Sequence, residues 1–323
     1  MSLRLRRRWS ARSVGDMDVV TGAFGYIGRY ITKRLLESGR EVQTITTHPA
    51  KPNPFGVAVE AFPYSFDDPS RLTDLLSGAD TLFNTYWIRF PHDGQTFESA
   101  LRNTRTLFDC AKQAGLKRIV HISVTNASMD SQLPYYRGKA RQEEMLAETG
   151  VPHSIVRPTL VFGKGDILVN NIAWLIRKVP AFPIFGSGRY RVQPVFVEDL
   201  ASLAVEQASQ SSDVTLDAIG PDTFTFEKMV RLMAAELGRE TRFVRVPPSV
   251  GLLAGRAISL LMRDVLLTSD ELAGLMEENL TSRQAPNCPT RFADWLRDNS
   301  RTVGRHYSSE IARHFRWTPG GQS

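Results

Sequence analysis

A doubly wound parallel α/β sheet, followed by a smaller and mainly helical C-terminal lobe, is the fold class this sequence predicts. Three observations carry that expectation. Short apolar runs rich in β-branched residues alternate with amphipathic segments of helix length through the first two-thirds of the 323 residues. The first junction between the two kinds of segment, TGAFGYIG (21–28), holds three glycines three apart. Composition is that of an ordinary globular chain, with 42% hydrophobic and 23% charged residues, and the length suffices for a large core.

The elements follow in order. DVVTG reads as a buried strand, and YIGRYITKRLLESG sets Ile27, Ile31 and Leu35 at i+4 spacing, with Gly39 where a helix stops. EVQTITT and VAVEAFPYSF are the next strands, the latter leading through Asp67-Asp68-Pro69 into the short helix SRLTDLLSGA. TLFNTY is a strand, FESALRNTRTLFDCAKQAG an amphipathic helix closed by Gly115, and RIVHISV a further strand. KARQEEMLAETG is a helix whose polar face, including Glu143 and Glu144, reads as solvated, and HSIVRPTLVFG returns to the sheet. Strands separated by helices of this length form parallel pairs with right-handed crossovers, so helices cover both faces. Beyond Asp166 the rhythm breaks. NNIAWLIRKVPAFPIFG, RYRVQPVFVEDLASLAVEQA and TFTFEKMVRLMAAELGRE form a more helical lobe with late strands, Thr225 capping a helix that ends at Gly238, and the chain after Pro248 reads as mostly helical.

The net charge of +6 raises the question of a nucleic-acid partner. Five of those six charges sit on Arg4, Arg6, Arg7, Arg8 and Arg12, so the body of the chain is nearly neutral and carries no basic stripe. A nucleic-acid partner is therefore excluded. Residues 1–16 read as a disordered basic tail, open to reading as an upstream start codon, an expression remnant or a targeting peptide. Cys110 and Cys288 make neither a disulfide framework nor a metal-ligand spacing, and His48, His92, His121 and His153 show no metal pattern. These point to a reducing cytoplasm and no metal. Val250–Met262 (VGLLAGRAISLLM) is interrupted by Arg256 and too short to span a bilayer; it reads as a buried or partner-facing helix, with a peripheral membrane contact as a second option.

Between a strand and a helix, TGAFGYIG acquires a mechanism. Gly22 permits the tight turn, Gly25 lets backbone approach a pyrophosphate, and Gly28 lets the helix pack close to the sheet, its N-terminus offering free N–H groups. The cofactor-binding candidates here are Gly22, Phe24, Gly25, Tyr26, Ile27 and Gly28. Ser123 closes the RIVHISV strand, and twelve residues on Tyr135 and Lys139 form Y-x-x-x-K in PYYRGKA. One helix turn apart, they share a face, so the ammonium can lower the phenol's pKa and hold a ribose hydroxyl. A Ser–Tyr–Lys set lets tyrosine exchange a proton with a carbonyl or alcohol while a nicotinamide exchanges hydride.

With these residues in place, the chain resembles the extended and atypical branches of the short-chain dehydrogenase/reductase superfamily, from Asp18 to about Leu200. The form is similar to the nucleotide-binding accessory subunit of respiratory complex I, to NmrA-like proteins and to bacterial nucleoside-diphosphate-sugar epimerases. The resemblance implies a Rossmann NAD(P)-binding domain over 17–165 and a substrate or partner lobe over 166–323, interleaved with late sheet strands. It implies Asp67 facing the adenine, Asn84, Thr85 and Tyr86 lining the cofactor, and Asn103 as the helix asparagine. Arg157-Pro158-Thr159 would border the nicotinamide, with Pro158 and Thr159 as contacts, and Val197–Leu200 matches the valine–aspartate motif.

Two departures bear on function. The loop VTNASMDSQLP is about half the length found in sugar-nucleotide epimerases, which speaks against a large glycosyl-nucleotide substrate. After the second strand stand Thr46-Thr47-His48 with no carboxylate, and Arg29, His48 and Lys51 are expected as nearby cations, so Thr47 and His48 favour NADP over NAD. Three readings follow: an NAD(P)-dependent oxidoreductase acting on a small carbonyl or alcohol through Ser123, Tyr135 and Lys139; a non-catalytic NAD(P)-binding structural or redox-sensing protein with a protein partner; and a sugar-nucleotide epimerase. Homodimerisation is open in each. Trp87, Phe90 and Phe97 are candidates to line a substrate pocket or the core, while His121 and Tyr136 read as packing residues.

Overall fold

The structure is a computed structural model, in which residues 17–250, 264–265 and 268–314 are described. The basic tail and most of the apolar stretch from Val250 to Leu267 lie outside the described residues. Seven parallel strands form the central sheet in the order β11-β6-β5-β4-β1-β2-β3. They are β1 (Met17–Thr21), β2 (Glu41–Thr46), β3 (Val59–Pro63), β4 (Thr81–Asn84), β5 (Arg118–Ile122), β6 (His153–Pro158) and β11 (Val214–Ala218). The order reverses between β1 and β4, and the carboxyl ends beside that reversal are where a ligand crevice opens in such a sheet.

Helices cover both faces. α1 (Tyr26–Glu37) packs with α6 (Val197–Glu206) on one side, and α2 (Pro69–Leu76), α3 (Phe97–Gln113) and α4 (Pro134–Thr149) lie in sequence on the other. Each layer has its own core. Val20, Ile31, Leu35, Phe83 and Leu200 fill the first, and Val19, Leu72, Leu82, Leu107, Phe108 and Leu146 the second. The five inner strands are buried on both faces, while the edge strands β3 and β11 are partly exposed.

The remaining elements form the lobe around a third core that includes Phe162, Ile172, Phe182, Met229, Phe226 and Phe292. They are α5 (Leu168–Lys178), α7 (Phe226–Glu236), α8 (Ser269–Met276), α9 (Phe292–Asn299) and α10 (Glu310–His314), with three two-stranded pairs: β7 (Leu160–Phe162) with β10 (Pro194–Phe196), β8 (Ala181–Phe185) with β13 (Arg242–Val246), and β9 (Arg191–Val192) with β12 (Phe224–Thr225). Thr225 caps α7, its hydroxyl accepting from Lys228 N at 3.2 Å.

Two expectations need correction. The C-terminal stretch is less helical than its composition suggests, because residues 277–291 run without regular structure. Their backbone groups are satisfied by side chains instead: Asn126 Nδ2 donates to Asn279 O at 3.0 Å and to Thr281 O at 2.8 Å, and Asn287 Nδ2 donates to Asp217 O at 2.8 Å. Glu143 is not on a solvated face. It is 8% exposed, and Arg157, from the neighbouring strand β6, pairs with both of its carboxylate oxygens.

Candidate functional site

The glycine turn has the geometry its sequence demands. Gly22 adopts a φ of +67°, open to glycine and costly for other residues, and its carbonyl accepts from Gly25 N at 2.8 Å. A Cβ on Gly28 would lie 2.4 Å from the Gly22 oxygen, so any side chain there would push α1 off the turn. Gly25 caps α1 without a side chain, and the first turn carries no acid. The helix N-terminus is thereby left bare of competing anions.

Above this turn lies a cavity of about 420 Å³. Of the residues expected to hold a cofactor, Gly22, Phe24, Gly25, Tyr26, Ile27, Gly28, Thr47, His48, Thr85, Tyr86 and Lys139 line it, with Ser123 and Tyr135. Pro158 and Thr159 line an adjoining cavity of about 610 Å³. Ser123 and Tyr135 line both, so the two spaces meet at the expected reacting groups.

Three expected contacts fall outside the lining. Asp67 is exposed at the end of its loop. Tyr64 takes the place beside the cavity, stacked on Phe66 with ring centroids 4.8 Å apart. Asn84 is fully buried, its Oδ1 accepting from Thr21 Oγ1 at 3.1 Å and from Tyr86 N at 3.1 Å. It pairs with His121 Nδ1 at 3.0 Å, and so braces the strand ends from behind. Asn103 donates to the Tyr86 hydroxyl at 2.8 Å, holding that ring instead of facing the cavity. His121 is a core residue, as expected: full burial and the Lys139 charge push its imidazolium well below the ordinary range.

The Ser–Tyr–Lys set is assembled on β5 and α4, though its internal partners differ from expectation. Pro134 at the start of α4 extends the helix back to include both Tyr135 and Lys139. Lys139 Nζ is buried and donates to Ile122 O at 2.9 Å, with the Trp87 ring centroid 5.3 Å away. Gly138 makes room for that indole, since a Cβ there would meet the ring at 2.6 Å. Burial lowers the ammonium to about 7, with Glu143 pulling the other way. Burial raises the Tyr135 phenol to about 12; Arg89 works against that rise and Glu271 adds to it. The lysine is thus directed at the β5 carbonyl and the indole, and the expected lowering of the phenol by the ammonium gives way to desolvation.

Ser123 Oγ donates to Glu143 Oε1 at 2.5 Å. Tyr135, Lys139 and Glu143 stand at i, i+4 and i+8, one stripe of α4 facing the end of β5. Glu143→Gln is expected to destabilise the fold by about 2–3 kcal/mol, because a guanidinium is left facing a neutral partner at a largely buried site. Urea unfolding of the variant beside wild type checks this; equal midpoints would mean that the pair is dispensable.

Sequence reasoning missed Tyr64, Arg89, Gln95, Glu310 and Arg313 in the first cavity. Arg89 pairs with Glu271 and Glu310, and thereby joins the crevice to α8 and α10. No motif marks these residues; the N-cap pattern of α8, a Thr268–Glu271 capping box, is the one local signal nearby.

The lining fits a dinucleotide on grounds internal to the structure. Gly28 lets the bare N-terminus of α1 close onto the turn, and three buried polar atoms of cavity-lining residues, Tyr26 Oη, His48 Nε2 and Trp87 Nε1, have no hydrogen-bond partner among the described residues.

Comparison with known proteins agrees. A family described as NAD(P)H-binding matches residues 22–166. A mitochondrial protein of Arabidopsis thaliana, NADH dehydrogenase (ubiquinone) 1 alpha subcomplex subunit 9, is 26% identical over 245 residues, covering 72% of this chain and 61% of its own. The match therefore spans less than two-thirds of that relative's length. Ceramide reductase of Caulobacter vibrioides is 25% identical over 244 residues, covering 74% of this chain and 76% of its own. The crystal structure of the Citrobacter sp. triphenylmethane reductase complexed with NADP(H) superposes with a TM-score of 0.70 at 17% identity, covering 88% of this chain and 99% of that one. Residues 22–166 thus carry an NAD(P)H-binding match, and the glycine turn and sheet order are similar to those of the extended and atypical branch of the short-chain dehydrogenase/reductase superfamily.

Proposed function

We propose that the protein is an NADP-preferring oxidoreductase that reduces an uncharged, largely apolar carbonyl compound. The observation that carries this reading is the junction of the two cavities at Tyr135 and Ser123. A nicotinamide held in the first cavity supplies the hydride. Tyr135, its phenol protonated throughout the neutral range, supplies the proton to the substrate oxygen. Lys139 lies one turn behind it and holds the β5 end in register through Ile122 O. Ser123 directs its own proton to Glu143 and so presents lone pairs to the junction instead of donating to substrate.

The second cavity supports the substrate class. Phe90, Pro91, Phe97, Leu168, Leu275 and Leu280 give it an apolar wall. Its charged lining is mostly acidic, Asp166, Asp270, Glu271 and Glu310 against Arg89 and Arg313, and Arg89 is already engaged by two of those carboxylates. A glycosyl nucleotide would bring its diphosphate against these acids, which weighs against an epimerase. NADP preference rests on the β2 end: Thr46, Thr47 and His48 line the first cavity with Lys51, and the one carboxylate among the described lining residues, Glu310, is paired with Arg89.

A second reading retains support. Ser123 and Lys139 both have their polar atoms committed within the protein, and the plant relative is named as a subunit of a larger enzyme. The chain would then bind NADP for stability or redox sensing without turnover.

Thermal unfolding with NAD+, NADH, NADP+ and NADPH tests the shared premise. A ligand at a hundredfold excess over Kd stabilises by about 2.7 kcal/mol. The phosphorylated pair is expected to raise Tm more than the unphosphorylated pair. No shift with any of the four, and no retained cofactor by mass spectrometry, would remove both readings.

A further inference from the structure

The last described segment reaches back over the cofactor cradle. Glu310 and Arg313, on α10, line both cavities although the cradle begins at Gly22. One carboxylate anchors this segment: Asp264 accepts from Glu310 N at 3.1 Å, Ile311 N at 2.9 Å and Tyr307 Oη at 2.5 Å. From the cradle side, Lys51 Nζ donates to Arg313 O at 3.2 Å. Arg313 Nη1 in turn donates to Gly165 O at 2.5 Å, on the turn that also receives Tyr30 Oη at Lys164 O, 2.7 Å.

This arrangement gathers three cations at the start of α1: Arg29, Lys51 and Arg313. Burial depresses Lys51 and Arg313; Lys51 feels Arg313 and Arg29 as like charges, and Arg313 feels Arg29 as one while Asp166 works the other way. None of the three has a carboxylate within ion-pair distance among the described residues; Lys51 and Arg313, which line the first cavity, donate to carbonyl oxygens, and Arg29 beside them donates to Lys164 O and lies over the Tyr30 ring. Asp166 is the nearest acid to act on Arg313, and its Oδ2 is taken up by Val169 N at 2.5 Å. Three cations collected around a bare helix N-terminus, with no carboxylate paired to them among the described residues, describe a site completed by a polyanion.

We infer that Arg313 is a cofactor ligand supplied by the C-terminal lobe, closing with Arg29 and Lys51 on the phosphate groups of the dinucleotide. The inference rests on the cofactor reading above and extends it. Glu310, one turn before Arg313, is paired with Arg89 where the cavities meet, so seating α10 on the phosphates also sets the wall of the substrate cavity.

The test is direct binding of NADPH and NADH, followed by quenching of protein fluorescence, with the full chain as wild type, Arg313→Ala and Arg313→Lys. Arg313→Ala is expected to raise Kd about 10- to 100-fold, with partial recovery in Arg313→Lys, as for loss of one charge-assisted contact. Limited trypsin digestion gives a second readout: NADPH should protect the C-terminal segment in wild type and not in Arg313→Ala. Equal losses for NADPH and NADH would place the contact on the diphosphate, and a loss confined to NADPH would place it on the 2′-phosphate. Unchanged Kd values in both variants, with wild type binding normally, would overturn the inference and leave the cofactor reading intact. Failure of wild type to bind either nucleotide would remove both.

Discussion

Tyr135→Phe is expected to lower carbonyl-dependent NADPH consumption by about 10²- to 10⁴-fold, with the Kd for NADPH unchanged within a factor of two. The substitution deletes one oxygen and preserves the ring that packs against Trp87 and Tyr136, so folding should be unaffected. With the phenol raised to about 12 by burial, the proton is present at neutral pH and the conjugate base is scarce. At neutral pH the phenol is therefore in the protonated form that carbonyl reduction requires of a proton donor. Following NADPH absorbance with alkyl and aryl ketones checks both points. Full activity in the phenylalanine variant would remove Tyr135 as the proton donor. Tight NADPH binding by wild type, with no turnover on any carbonyl offered, would select the non-catalytic reading.

What the sequence disclosed was local in origin. Gly22 and Gly28 are legible because a positive φ and a 2.4 Å approach each require glycine within a seven-residue span. Tyr135 and Lys139 are legible because four residues on a helix return to the same face. The strand runs are legible because both faces of a parallel sheet are buried. Glu143 illustrates the opposite case. It sits among polar residues on a helix, and only the arrival of Arg157 from β6 and Ser123 from β5 makes a buried carboxylate tolerable there. Asn84 was read from its place at a strand end, but its side chain is decided by Thr21 and His121 on the flanking strands. Arg313 is harder still. Its placement depends on Asp264 holding Glu310 and Ile311 and on Lys51 and Gly165 meeting Arg313 itself, from three separate parts of the chain, and no periodicity encodes that convergence.

Lys139→Met supplies the second large effect, and its sign depends on pH. The ordinary lysine value of 10.5 falls to about 7 in the folded protein. Between those values the unfolded chain binds a proton that the folded one does not, so wild-type stability rises with pH, by about 1.4 kcal/mol per pH unit from this group. Below pH 7 both states are protonated, and the full cost of the buried ammonium weighs on the fold. Methionine has no such cost, but it forfeits the bond to Ile122 O, worth about 1 kcal/mol. The variant should therefore be more stable than wild type by about 3–4 kcal/mol at pH 6, and by only about 1 kcal/mol at pH 9. The charged neighbours do not reverse this: Glu143 is tied to Arg157, and His121 is held neutral across the range by its burial. Urea unfolding of both proteins at pH 6, 7.5 and 9 measures the difference directly, and most other titrations cancel between them. A gain that shrinks with rising pH would mark Lys139 as an amine kept at the expense of stability, which is how sites under functional demand differ from cores. A pH-independent loss of stability would instead assign Lys139 to packing beneath Trp87, and the oxidoreductase reading would then rest on Tyr135 alone.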